Sequence, residues 1–188
     1  MKIILASNSP RRQELLKGLD LDFTIRIIPN IDESYPPQMP PDEVPRYLAQ
    51  KKAHAYRATM QADELIITAD TIVILDGDIL EKPTDKDDAI RMLKRLSGRK
   101  HQVITAVTLT TTDFQKTFAE DSFVDFAPLT DDEIDYYVTR YQPYDKAGAY
   151  GIQEWIGYVG VSAIEGSFYN VMGLPIQRLY RELKKDIF

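Results

Sequence analysis

Apolar and polar positions along the chain alternate between two rhythms. Short continuous or alternating apolar runs read as strands: "KIIL" near the start, "FTIRII", the long β-branched "ELIITADTIVIL" and its return "DILEKP" across the turn signal Asp76-Gly77. Two further runs, "HQVITAVTLTTT" and "QKTFAEDSFVDFA", read as a hairpin across Asp113. Between these lie helical patterns. Pro10 to Leu19 places Leu15, Leu16 and Leu19 on one side, and "DEVPRYLAQKKAHAYRATM" predicts a long helix starting near Asp42, with Pro45 in its first turn. "DKDDAIRMLKRLSGR" is an amphipathic helix closed by Gly98, "TDDEIDYYVTR" carries Thr130 as N-cap, and "GLPIQRLYRELKKD" is a terminal helix. A loop, "DKAGAYGIQ", precedes a last strand in "GYVGVSAIEGS", and Pro29, Pro36, Pro37 and Pro40 keep the segment after "FTIRII" out of regular structure. The pattern is mixed α/β. No repeat, low-complexity linker or boundary divides residues 1–188, which read as a single domain.

Composition narrows the chemistry. The 188 residues are long enough for a real core, and the formal net charge of −6 argues against a general nucleic-acid surface. An anionic ligand therefore needs a local cluster of cations or a metal. The absence of cysteine excludes disulfides, thiolate metal sites and cysteine nucleophiles. A short N-terminal apolar run and the lack of any long apolar segment predict a cytoplasmic protein without a membrane span. His54 and His101 lie far apart in polar contexts and read as surface or packing residues.

Several polar residues sit where folding alone gives no reason for them. In "LASNSPRR", Ser9 is a natural N-cap and Pro10 a first helical residue, yet Arg11 and Arg12 follow where the helix dipole is already positive. With the Ser7 and Ser9 hydroxyls and the free N–H groups of the helix start, they compose an anion cradle. On that reading the empty protein loses no stability, or gains a little, when Arg12 is removed. Asp70 interrupts the apolar run "LIITADTIVIL", where a carboxylate is costly unless paired or bound to a cation, and strand ends are where open α/β sheets place ligands. A two-residue turn at Asp76-Gly77 puts Lys82 opposite Thr71; a three-residue bulged turn moves Lys82 onto the Asp70 face. Glu33 lies in the proline-stiffened loop, where a rigid carboxylate suits a hard cation such as Mg²⁺. Of Lys51 and Lys52 in the long helix, one on the inward face adds another cation. Gln153, beside Gly148 and Gly151, offers a donor and an acceptor suited to a pyrimidine edge. P-loop, dinucleotide-binding and hydrolase-elbow motifs are absent.

Taken together, "LASNSPRRQELL", "TADTIV", "EKP", "LSGRKHQVITAV", "DKAGAYGIQ" and "YNVMGLP" resemble the Maf family of nucleoside triphosphate pyrophosphatases, in order and over nearly the whole chain. The resemblance implies hydrolysis of a nucleoside triphosphate to the monophosphate and pyrophosphate, as house-cleaning of the nucleotide pool, with a divalent cation (Mg²⁺, Mn²⁺ or Co²⁺). It also implies an elongated two-lobed α/β fold related to the ITP/XTP pyrophosphatases, a mixed twisted sheet flanked by helices around a central cleft, and it leaves room for a homodimer. Asp70 matches the family's proton acceptor and Glu33 one of its cleft residues, and on this resemblance Glu33 and Asp70 together bind or orient the metal, Asp70 as base, ligand or both. Ser7, Arg11, Arg12, Lys52 and Lys82 match its cleft residues, and Arg12, Thr71 and Gln153 match the markers of the dTTP/UTP subgroup. A nucleotide-binding regulator of septum formation with negligible turnover is the alternative. A buried acid beside the phosphates speaks against it, because a pure binder gains nothing from one.

Overall fold

The computed structural model describes residues 1–187. Its strands are β1 (Lys2–Leu5), β2 (Phe23–Ile25), β3 (Glu64–Leu75), β4 (Asp78–Leu80), β5 (Lys100–Thr110), β6 (Gln115–Phe126) and β7 (Val161–Glu165). The helices are α1 (Pro10–Lys17), α2 (Val44–Tyr56), α3 (Lys86–Leu96), α4 (Asp131–Tyr141), α5 (Trp155–Gly160), α6 (Phe168–Met172) and α7 (Ile176–Asp186). The strands make one mixed sheet of order β2-β1-β3-β5-β6-β7, with β4 paired to β3. β1 runs parallel to both β2 and β3, while the β3–β4 and β6–β7 pairs are antiparallel.

The chain divides into two compact units. The first comprises Met1–Thr71, Thr105–Glu120 and Gly173–Phe188; the second comprises Ile72–Ile104 and Asp121–Met172. In the first unit β3, which runs parallel to β1 inside the sheet, is buried from Glu64 to Asp70. Leu65, Ile66 and Ile67 are fully buried, each such side chain contributing roughly 1.5–3 kcal/mol. α2 lies against this strand: Thr68 Oγ1 donates to the Ala49 carbonyl at 2.7 Å, satisfying a buried hydroxyl. α7 is fixed to β6 by ion pairs from Lys116 to Asp186 and from Arg178 to Glu120, at 2.7 and 3.0 Å.

The second unit is built on the β3–β4 hairpin, α3 and α4. Val73 pairs with Leu80 and Leu75 with Asp78, so the turn holds only Asp76 and Gly77, both with positive φ. The bulged three-residue alternative is thereby excluded. α4 begins with the expected Thr130 cap, completed as a reciprocal capping box with Glu133.

Three sequence expectations differ from the structure. The long helix starts at Val44 after a 3-10 turn over Pro41–Glu43 and ends at Tyr56. The strands "FTIRII" and "DILEKP" shorten to three residues each, because β2 pairs only along Ile3–Leu5 and the β4 ladder ends at Leu80. Helices α5 and α6 were not foreseen. In α5, Gly157 defeats a propensity-based reading, yet a Cβ there would lie 1.7 Å from the Ile152 carbonyl, so close approach demands glycine.

Candidate active site

Asp70 lies on β3, the last buried residue before the half-buried Thr71. Its Oδ1 accepts from Lys52 Nζ at 2.7 Å, and the same ammonium lies 3.1 Å from Glu33 Oε2. Lys52 thus sits between two carboxylates, one buried and one half-exposed. The pairing follows from local structure. α2 presents Lys52 next to the strand, and the loop after β2 brings Glu33 to the helix. Burial pushes the Asp70 carboxyl above the ordinary aspartate value; the attraction of Lys52 and Arg12 offsets only part of that. A buried carboxylate raised in this way is suited to accept a proton.

Lys51, the neighbouring lysine, faces differently. Its Nζ donates to Asp32 Oδ2 and to the Ser34 carbonyl, both at 2.7 Å, while Ser34 N donates back to Asp32 Oδ1 at 2.9 Å. Asp32 is held at about 2 by Lys51 and by the Ser34 hydrogen bonds. Glu33 is therefore gripped on both flanks. Sequence reasoning identified the two lysines as alternatives; the structure uses both, one for each side of the loop.

At the start of α1, Ser9 caps the helix, and its Oγ accepts from Arg12 N at 3.5 Å. Ser7 is buried, and its Oγ accepts from Ser9 N at 3.3 Å. Arg11 is half-buried. Arg12 departs from expectation. Its Nε donates to the Gly173 carbonyl at 2.7 Å, Nη1 to the Ala69 carbonyl at 3.0 Å and Nη2 to Thr71 Oγ1 at 2.9 Å. It grips the residues on either side of Asp70. These three bonds point the opposite way from the expectation that the empty protein loses nothing without Arg12. Thr71 is likewise engaged, its hydroxyl 2.9 Å from that of Thr105. Thr105 and the Gly173 carbonyl went unnoticed in the sequence, which carries no local signal for a partner so distant along the chain.

Lys82 and Gln153 belong to the second unit. Lys82 lies beyond the β4 ladder and is exposed. Its neighbour Glu81 accepts, through its carbonyl, from Gly148 N at 3.2 Å, which ties the Lys82 segment to the loop that carries Gln153. Gln153 Oε1 is buried with no hydrogen-bond partner in the protein. His54 is a surface residue and His101 a packing one, both within expectation, although the segment around His101 is polar in sequence. His101 is 2% exposed, edge-on to Phe126 and Tyr150, with Nε2 2.6 Å from the Tyr150 hydroxyl, and burial lowers its pKa to about 4.

Among solved structures the fold is that of the Ham1 proteins. The Staphylococcus aureus Ham1 protein superposes with a TM-score of 0.51 at 17% identity, covering 68% of this chain and 72% of its own. A nucleoside-triphosphatase / dITP/XTP pyrophosphatase from Mycobacterium abscessus gives 0.50 at 15%, covering 100% and 99%. Within that fold class, the chain belongs to the Maf-like protein family, whose model matches residues 2–186. Relatives named dTTP/UTP pyrophosphatase from Bacteroides thetaiotaomicron and Phocaeicola vulgatus are each 60% identical over 184 residues, covering 98% of this chain and 95% of theirs. Among the described residues no helix is long and apolar enough to cross a membrane.

Proposed function

We propose that this protein hydrolyses dTTP and UTP to the nucleoside monophosphate and pyrophosphate. Membership of the Maf-like family and the names of its relatives support the activity. The observation that carries the chemistry is the Lys52 ammonium between Asp70 and Glu33. It combines a buried base with a cation beside it, which a simple binding surface does not need.

In this reading water attacks the α-phosphorus in line. The new P–O bond forms as the bond to the bridging α–β oxygen breaks, and pyrophosphate leaves. Asp70 takes the proton from the attacking water. Lys52 and Arg11 neutralise phosphate charge, and Ser7 contributes a hydroxyl at the helix start. Arg12 and Thr71 hold the strand residues around Asp70. Lys82 completes the phosphate contacts, and Gln153 reads the base.

The two acids also fit a divalent cation. They are hard oxygen donors that already share one positive group, and a Mg²⁺ ion commonly takes only one or two carboxylates, with water and phosphate filling the rest. Glu33 and Asp70 would hold Mg²⁺, Mn²⁺ or Co²⁺, which supplies charge neutralisation at the phosphate oxygens.

Pyrophosphate release measured with Mg²⁺ or Mn²⁺ over dTTP, UTP, CTP, ITP and 7-methyl-GTP tests this directly. Highest kcat/KM for dTTP and UTP is expected. Preference for ITP overturns the substrate class, and triphosphate binding without release overturns the enzyme reading.

A further inference from the structure

The loop that carries Gln153 is held by a buried network outside the residues assigned so far. Tyr137, on α4 and fully buried, donates its hydroxyl hydrogen to Glu154 Oε2. The same Tyr137 oxygen accepts from Gly151 N at 3.0 Å. The other Glu154 oxygen lies 3.2 Å from Lys146 Nζ, and Asp145 Oδ1 lies 2.9 Å from that ammonium. Lys146 is only 8% exposed, an unusual place for a lysine in a loop. Burial and the Glu154 carboxylate both push the Tyr137 hydroxyl up, so it stays protonated and donates. Packing around Gly151 is tight. A Cβ there would lie 3.0 Å from Lys146 Cε, 3.1 Å from Glu154 Cδ and 3.2 Å from Gln153 Nε2.

Gln153 stands between the two anchored residues, Gly151 and Glu154. Its Oε1 is buried and accepts no hydrogen bond from the protein. An orphaned buried acceptor is costly unless a ligand donor meets it. Uracil and thymine present an N–H at N3 beside the C4 carbonyl, a match for a carboxamide with one acceptor and one donor. Cytosine presents a bare acceptor at N3, which would face Oε1 with no hydrogen between them.

We infer that Tyr137, Glu154 and Lys146 form a positioning clamp that fixes the Gln153 carboxamide for discrimination between uracil or thymine and cytosine. This inference rests on the nucleotide reading above. None of the three touches the reacting atoms; they act through the geometry of Gln153. A pocket left to a mobile glutamine could rotate its amide and accept either base, so the clamp converts a tolerant contact into a selective one.

The test is a double-mutant cycle read on the UTP/CTP ratio of kcat/KM in the full-length enzyme. Tyr137→Phe removes one oxygen and keeps the ring. It is expected to lower the ratio about tenfold, the scale of one misplaced hydrogen bond, mainly through a higher KM for UTP. In a Gln153→Ala background the same change should leave the ratio where it is. Equal losses on UTP and CTP, an unchanged ratio, or full additivity with Gln153→Ala would reduce the network to a structural tie and overturn the clamp. If Tyr137→Phe does not fold, Lys146→Gln decides by the same ratio. Wild-type enzyme that releases no pyrophosphate from UTP removes the nucleotide reading and the clamp's role together; an active wild type with an insensitive ratio removes the clamp alone.

Discussion

Arg12 Nη2 donates to Thr71 Oγ1 across 2.9 Å, joining two side chains 59 positions apart, the second next to the buried carboxylate Asp70 on β3. The guanidinium also takes the carbonyls of Ala69 and Gly173, so the residue before Asp70 and the residue after it are tied to one rigid fork. Arg12 is a tie as much as a charge.

Removing that fork should destabilise the empty protein. Arg12→Ala removes the three guanidinium bonds to the Ala69 and Gly173 carbonyls and the Thr71 hydroxyl, a loss of about 2–4 kcal/mol that lowers Tm by about 5–10 °C. Thr71→Val, which loses only the hydroxyl, should cost about 1 kcal/mol. Thermal unfolding of both variants without nucleotide checks the order, and an unchanged Tm for Arg12→Ala would show that its three bonds contribute nothing net.

Asp70→Asn should lower kcat by about 10²–10⁴-fold, the range a positioned base contributes, and leave the fold intact. Lys52 keeps Glu33 as a partner in that variant, so no buried ammonium is left alone. Pyrophosphate release and far-UV circular dichroism together check this. Near-normal turnover excludes Asp70 as the base.

Chelation should abolish turnover while leaving wild-type Tm within about 2 °C, because Lys52 already pairs with both Asp70 and Glu33 without an added ion. In Lys52→Met the two acids lose that cation. Its Tm should fall, and added Mg²⁺ should raise it more than in the wild type. Melting curves in EDTA and in Mg²⁺ for both proteins decide the matter.

His101 should make stability fall in mild acid. Its folded pKa of about 4 lies below the ordinary 6.5, so the unfolded chain takes up the proton first as pH falls. The contribution is intact above pH 6.5, declines through the interval and is lost below about 4, a total of about 3 kcal/mol at most. His101→Gln, which titrates nowhere in this window, should flatten the dependence of Tm on pH between 4.5 and 6.5. An identical slope in both proteins assigns the acid sensitivity elsewhere.

Much of the fold was legible because its signals are local. The apolar run of β3, the Asp76-Gly77 turn and the Thr130 cap each act within a few residues, and each appears where the pattern puts it. A carboxylate inside that run announced itself as costly, and so pointed to Asp70. The α5 helix escaped because Gly157 argues against it locally and only its approach to the Ile152 carbonyl explains it.

Side-chain partnership across the fold was not legible. From sequence, Arg12 is a second cation at a helix start. Nothing near it foretells acceptors at Ala69, Thr71 and Gly173. Nor does the polar stretch around His101 reveal the aromatic cage that keeps it neutral, or the loop around Gly151 its tie to Tyr137. The sequence by itself determined the alternating α/β elements and the residue types able to handle a triphosphate, because propensity, periodicity and the cost of a buried charge are properties of short segments. Only the tertiary structure decided which cation serves the carboxylates and which serves the backbone, because hydrogen bonds depend on separations of about 3 Å that distant segments acquire only when the chain has packed.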